Sequence, residues 1–171
     1  MMYKAKSIYT QVALNSILEN FSKGEKLTFI PDELEVKAAC FVTIHRVSGE
    51  LRGCIGTLEP FRENLYEEIW ENAKSAAFRD PRFPPLRENE LDGIEISVDV
   101  LEKAEKVENE EKLDPKIYGV IVSCRGRRGV LLPDIEGVDS VEEQLSIARR
   151  KGGIGPDEKA VIYRFRVKRY Y

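Results

Sequence analysis

The chain has one histidine in 171 residues, His45, and three cysteines, Cys40, Cys54 and Cys124. A lone histidine excludes a multi-histidine metal centre and weighs against a Ser-His-Asp relay. The cysteines are odd in number and far apart, without the close pairing that a zinc ribbon or finger needs, so no metal is expected. No apolar run approaches the ~20 residues of a membrane-spanning helix. Residues 1–20 lack the continuous apolar stretch of a secretory signal, and a cytoplasmic location without membrane attachment is expected. The net charge of −3 excludes a chain that coats nucleic acid by bulk charge and leaves room only for a local basic patch.

What is present is the composition of a folded protein, 42% hydrophobic and 33% charged. The length suits one domain, or one domain with a small lobe. Lys, Arg and Glu are abundant while Gln and His are scarce, the pattern of a heat-tolerant protein as well as of any well-solvated surface.

Local periodicity orders the chain. Leu14, Ile17, Leu18 and Phe21 form one helical stripe, with Gly24 as its stop. Residues 38–46 and 50–58 read as strands of a hairpin around Ser48-Gly49. Leu65, Ile69, Trp70, Ala73, Ala76 and Ala77 mark a second amphipathic helix that ends before Asp80-Pro81. Residues 79–85 are expected to be extended. Ile94, Ile96, Val98 and Val100 alternate with polar residues as a half-buried strand. Residues 102–116 form a charged connection. A hairpin is expected from 117–124 and 129–132 around the tip 125–128. Ser140 and Glu143 form a capping box opening a helix that Gly152-Gly153 closes. Val161, Tyr163, Phe165 and Val167 alternate as one final strand. Hairpins dominate, so the fold class is α+β: a mostly antiparallel sheet flanked by helices.

Two stretches carry the chemistry. In Leu51-Arg52-Gly53-Cys54-Ile55-Gly56-Thr57 two glycines interrupt a strand, which calls for a bulge or for close approach by a backbone or a ligand. In a regular strand, Arg52, Cys54 and Gly56 share one face. A cation, a thiol and free space then lie side by side, and the guanidinium favours the thiolate. The same pattern suits a small buried cysteine beside a bulge. In Phe78-Arg79-Asp80-Pro81-Arg82-Phe83-Pro84-Pro85 the prolines favour polyproline geometry, so that Arg79 and Arg82 point the same way. Their planar forks suit a carboxylate or a phosphate. Asp80 either neutralises one of them or orients it. A rigid connection whose arginines are solvated or paired with the many glutamates fits these residues equally.

LRGCIGT at 51–57 and AAFRDPRFPPL at 76–86 resemble the signature segments of the AMMECR family. The likeness runs on through GVLLP at 129–133 and RKGG at 150–153, so that 1–171 reads as a single AMMECR-type domain. The resemblance implies an α+β fold with a larger and a smaller lobe, no settled activity, and a pathway link to Memo-like and radical-SAM proteins. Carried over by residue, the motifs fall on 51–57 and on Arg79, Asp80, Arg82, Phe83, Pro84 and Pro85. His45 belongs to neither.

Three functions fit these residues. The first is a small-molecule or protein-modifying enzyme, without a cofactor, centred on residues 52–56. Cys54 is its nucleophile, Arg52 lowers the thiol pKa or holds an anion, and Gly53, Gly56, Thr57, Arg79, Asp80 and Arg82 bind the ligand. Its weakness is the missing base. The second is a non-catalytic binding module, for an anionic ligand or a protein partner, in the same groove. The third, behind both, is nucleic-acid binding through Arg125, Arg127 and Arg128 and the face of Arg164, Arg166 and Lys168. A solvated turn that blocks edge pairing is the favoured reading of the first of these clusters.

Overall fold

A computed structural model of the chain describes residues 5–171. It is α+β, with helices and two sheets whose hairpins run antiparallel. It divides into a larger compact unit, residues up to Leu101 with Lys168–Tyr171, and a smaller one, Glu102–Val167.

In the larger unit, Ser7 caps helix α1 (Ile8–Glu19) by accepting from the Thr10 amide. The helix starts upstream of the expected stripe, and Phe21 lies beyond its end. A single-turn helix α2 (Asp32–Glu35) follows. Strands β1 (Cys40–Arg46) and β2 (Leu51–Gly56) form the expected hairpin. Asn64 caps α3 (Leu65–Phe78), and all six residues of its expected stripe are buried. Strand β3 (Ile94–Leu101) pairs with β1, and β8 (Val167–Tyr170) completes the order β2-β1-β3-β8. Alternation along the strands places Val42, Ile44, Ile96 and Val98 in one core with Leu14, Ile17, Ile69 and Ala73 of the helices.

The smaller unit holds β4 (Glu105–Val107), β5 (Gly119–Cys124), β6 (Arg127–Leu131) and β7 (Val161–Phe165), in the order β4-β7-β5-β6. Helix α4 (Val141–Lys151), capped by Ser140, packs on β6 where Gly129 meets the Ala148 carbonyl and Gly152.

Three expectations change. The alternation through Val161–Lys168 is not one strand, because β7 and β8 belong to different sheets. The β5–β6 turn is two residues, Arg125 and Gly126, both with positive φ, and Arg127 and Arg128 are already paired in β6. Residues 81–83 begin with a turn closed by the Phe83 amide on the Asp80 carbonyl (3.2 Å), not with extended chain. Among the described residues no helix is long and apolar enough to cross a membrane. None of their His, Cys, Asp and Glu side chains form a group of three or more placed to hold a metal ion.

Candidate functional site

The register of β1 against β2 shows what the first glycine-rich stretch does. Thr43 pairs with Cys54, Ile44 with Gly53, and His45 with Leu51, so Arg52 is an extra residue bulged out of the ladder. The regular alternation expected for this strand therefore breaks at Arg52. Gly53 serves close packing: a Cβ there would collide with the Ala76 carbonyl oxygen of α3. A Cβ on Gly56 would collide with the Phe41 ring.

Strand β2 lies at the edge of its sheet, so alternate backbone groups face away from β1. The second stretch caps them at Cys54. Asp80 Oδ2 accepts from the Cys54 amide (3.0 Å), and Arg82 Nη2 donates to the Cys54 carbonyl (3.2 Å). Asp80 is buried and also accepts from the Arg82 amide (3.1 Å), Nε (3.0 Å) and Nη2 (2.8 Å). The Arg82 bonds, with those from the Cys54 and Arg82 amides, hold its carboxyl far below the usual range. Arg82 is thus committed to Asp80 and to the strand edge.

The thiol of Cys54 is half-buried and 3.3 Å from Thr43 Oγ1. Burial pushes its pKa up, against the smaller opposing effects of Thr43 and of Arg82. The guanidinium acting on it is Arg82, and the expected activation by Arg52 does not occur. His45 sits opposite Leu51 and Glu95, so its register gives Cys54 no imidazole. Iodoacetamide at pH 8 should therefore alkylate native Cys54 at least about tenfold more slowly than a cysteine in an unfolded chain. Peptide mass spectrometry with a time course measures this. A rate above that of a free cysteine at pH 7 would return Cys54 to the role of nucleophile.

Arg52 turns to another partner. Its Nε and Nη2 form a fork on Glu90 Oε1 (2.8 Å) and Oε2 (3.0 Å), and Nη2 also donates to the Pro84 carbonyl (3.0 Å). Glu90 belongs to the 3-10 helix Glu88–Gly93 and also accepts from Arg46 Nη2 (3.2 Å) and from the Arg87 amide (3.0 Å). These bonds, led by the Arg52 fork, lower the Glu90 pKa to about 2. Arg52 is only 3% exposed, and its Nη1 has no hydrogen-bond partner among the described residues. A cavity of about 400 Å³ opens beside it, walled by Arg46, Arg52, Phe83, Pro84, Arg87 and Glu90 among others.

Thr57 and Arg79 lie elsewhere. Thr57 donates to the buried Glu68 (2.6 Å), which also accepts from the Phe61 and Arg62 amides. Arg79 reaches Glu71 (3.4 Å) and, with Thr57, lines a second cavity of about 370 Å³. The structure brings Cys54, Asp80 and Arg82 together. It gives Arg52 to Glu90 and gives Thr57 and Arg79 to Glu68 and Glu71. The convergence of Arg79 and Arg82 expected from polyproline geometry is absent, since the turn at 80–83 separates their partners.

Two of the arginines considered for nucleic-acid binding are engaged in ion pairs. Arg127 is paired with Glu158 (2.5 Å), and Arg164 with Glu105 (3.2 Å). Lys168 is in β8, in another sheet from Arg164.

The matching of whole sequences decides kinship. The sequence model of the AMMECR1 family matches residues 10–170. The chain belongs to the AMMECR1 family. A Thermotoga maritima protein is 51% identical over 160 residues, covering 90% of this chain and 92% of that one. Protein CA_C1420 of Clostridium acetobutylicum is 43% identical over 170 residues, covering 96% of this chain but 36% of a longer protein. The crystal structure of the uncharacterized protein PH0010 from Pyrococcus horikoshii superposes with a TM-score of 0.81 at 31% identity, covering 94% of this chain and 86% of that one. AMMECR1 relatives include uncharacterised proteins of thermophiles and archaea, which accords with the heat-tolerant composition.

Proposed function

We propose that this AMMECR1 chain is a binding module for an anionic ligand, taken in the cavity beside Arg52. One observation carries the reading: a guanidinium 3% exposed, with Nη1 unmet, at the wall of a cavity that Arg46 and Arg87 also line. A buried donor without an acceptor costs roughly 1–3 kcal/mol, which an oxyanion returns once the side chains covering Nη1 shift to admit it. Arginine forks match carboxylate and phosphate edges. Of the two functions built on residues 52–56, binding is favoured over thiol chemistry. Cys54 has a raised pKa, and the two side chains bracketing its backbone already bond each other.

The test is calorimetric titration at low ionic strength, with inorganic phosphate and with benzoate as separate probes. Saturable binding of at least one is expected, weakened at least about tenfold by Arg46→Gln with Arg87→Gln. Both arginines are partly or fully exposed, so the double variant keeps the fold. Absence of saturable binding with both probes, or equal affinity in the double variant, would overturn the reading.

A further inference from the structure

The composition of the cavity wall narrows the ligand, on the reading that the cavity binds an anion. We propose that it takes a phosphate monoester carried by a flat ring system, of about the size of a mononucleotide.

The charge comes first. Three guanidiniums, Arg46, Arg52 and Arg87, line this cavity with one carboxylate, Glu90. Glu90 is already held by Arg52 and Arg46, so the wall keeps an excess of two positive charges. A singly charged carboxylate or sulfonate leaves part of that excess unmet. A phosphate monoester carries close to two negative charges near neutral pH and three acceptor oxygens. Three oxygens answer donors that approach from different sides, where the two coplanar oxygens of a carboxylate answer one fork. Arg52 Nη1 is the donor still without an acceptor.

The ring follows from the rest of the wall. Phe83 lines the cavity between Arg52, whose guanidinium carbon is 6.0 Å from the ring centroid, and Arg82, at 5.5 Å. Pro84 and Pro85 continue this wall as stiff apolar surface with little side-chain entropy to lose. The guanidinium planes over Phe83 and the apolar edge of its ring offer packing surface to a flat, electron-rich ring.

The size follows from the neighbourhood. The 400 Å³ cavity shares Arg87 and Asn89 with an adjoining open cavity of about 590 Å³, which Lys23, Glu88, Leu91 and Asp92 also line, so the phosphate belongs to the first cavity and only an uncharged part of the ligand reaches the second. Single-ligand sites span roughly 300–1,000 Å³. A ring and a phosphate joined by a sugar-length spacer occupy the first cavity and reach the second, while inorganic phosphate leaves the Phe83 wall empty.

Calorimetry on the intact chain tests this with five probes: adenosine 5′-monophosphate, phenyl phosphate, benzenesulfonate, adenosine and inorganic phosphate. The expected order places the better of the two esters at least about tenfold tighter than inorganic phosphate, the sulfonate and adenosine. Phe83→Leu should remove the ester's advantage over inorganic phosphate, and Arg87→Gln should weaken the ester about tenfold, both with an unchanged thermal midpoint. The two esters separate the sources of the chemistry: preference for the adenosine ester marks a nucleotide, and preference for phenyl phosphate a phosphorylated phenol. Equal binding of the sulfonate overturns the dianion, and equal binding of inorganic phosphate overturns the ring. Both results leave an anion site standing. Silence from all five, and from benzoate, overturns the anion site as well.

Discussion

Gly53→Ala should lower the stability of the larger unit by about 3 kcal/mol or more, a large effect for one methyl group. The reason is the backbone of α3. The added Cβ would fall against the Ala76 carbonyl oxygen and 3.1 Å from its carbonyl carbon. A main-chain carbonyl in the last turn of α3 has no rotamer to change, so this end of the helix must lift from the sheet. Ile44 and Val42 of β1 are wholly buried beneath it, as are Ile69 and Ala73 of α3, and lifting exposes that contact first. Trp70, the sole tryptophan, sits buried in α3 and reports the unfolding of this unit in a denaturant titration followed by fluorescence. Gly93→Ala is the control. Nothing lies within 4 Å of its added Cβ, and its midpoint should move by no more than ~0.5 kcal/mol. A loss below about 1 kcal/mol for Gly53→Ala would mean that close packing is not what this glycine serves.

This outcome bears on how the AMMECR1 motif is read. A glycine-flanked cysteine beside an arginine has the look of a catalytic loop. Much of the motif is instead explained by construction. Gly53 admits α3, Arg52 is bulged into an ion pair, and Asp80 with Arg82 closes the free edge at Cys54. The two signature segments lie some 26 residues apart because one is the edge and the other its cap. The cavity proposed to bind ligand is walled partly by each of them, through Leu51 and Arg52 and through residues 83–85, and otherwise by residues outside both, such as Arg46 and Glu90.

What the sequence made legible follows the range of the forces involved. The buried stripe of α3 and the capping box at Ser140 and Glu143 are local, so periodicity and spacing report them directly. The role of Asp80 as partner of Arg82 is local too, two residues along the chain. The glycines announced a bulge or a close approach in this strand, but the place of the bulge at Arg52 was not legible, because register depends on pairing with β1 across the turn. The β7–β8 break at Arg166 was hidden for the same reason. Val161 to Val167 alternates without interruption, while membership of two sheets is decided by partners far away in the chain. Glu90 was missed outright. It is one acidic residue in an acid-rich segment, and only the fold brings it to an arginine 38 positions earlier. The cavity therefore has one wall that the motif announced and another that only tertiary structure supplies.

That hidden partner carries the second large effect. Glu90→Ala should destabilise the larger unit by about 3–5 kcal/mol, because it leaves Arg52 charged, buried and without its fork. Arg52 is only 3% exposed with the carboxylate in place, so the fork on Glu90 is its main charge partner. Substituting both members, Arg52→Met with Glu90→Leu, should recover most of that loss, since apolar residues of similar volume avoid desolvating two charges. If the single and the double variants lose equally, the cost lies in packing and not in the stranded charge. The wild-type chain should show the same pair through pH. The folded-state pKa of Glu90, about 2, lies below its usual 4.5, so the pair's stabilisation is fully present above about pH 4.5. It is lost as pH falls towards 2, where the folded state also protonates. Asp80, also lowered, adds a loss of the same sign that extends further into acid. Denaturant midpoints by Trp70 fluorescence at pH 7, 4.5 and 3 should therefore stay level over the first interval and drop over the second. In the Arg52→Met with Glu90→Leu variant the drop should shrink to the share left by Asp80 and by Glu19, which Lys74 also holds below its usual range. An undiminished drop in that variant would remove the Arg52–Glu90 pair from the acid response.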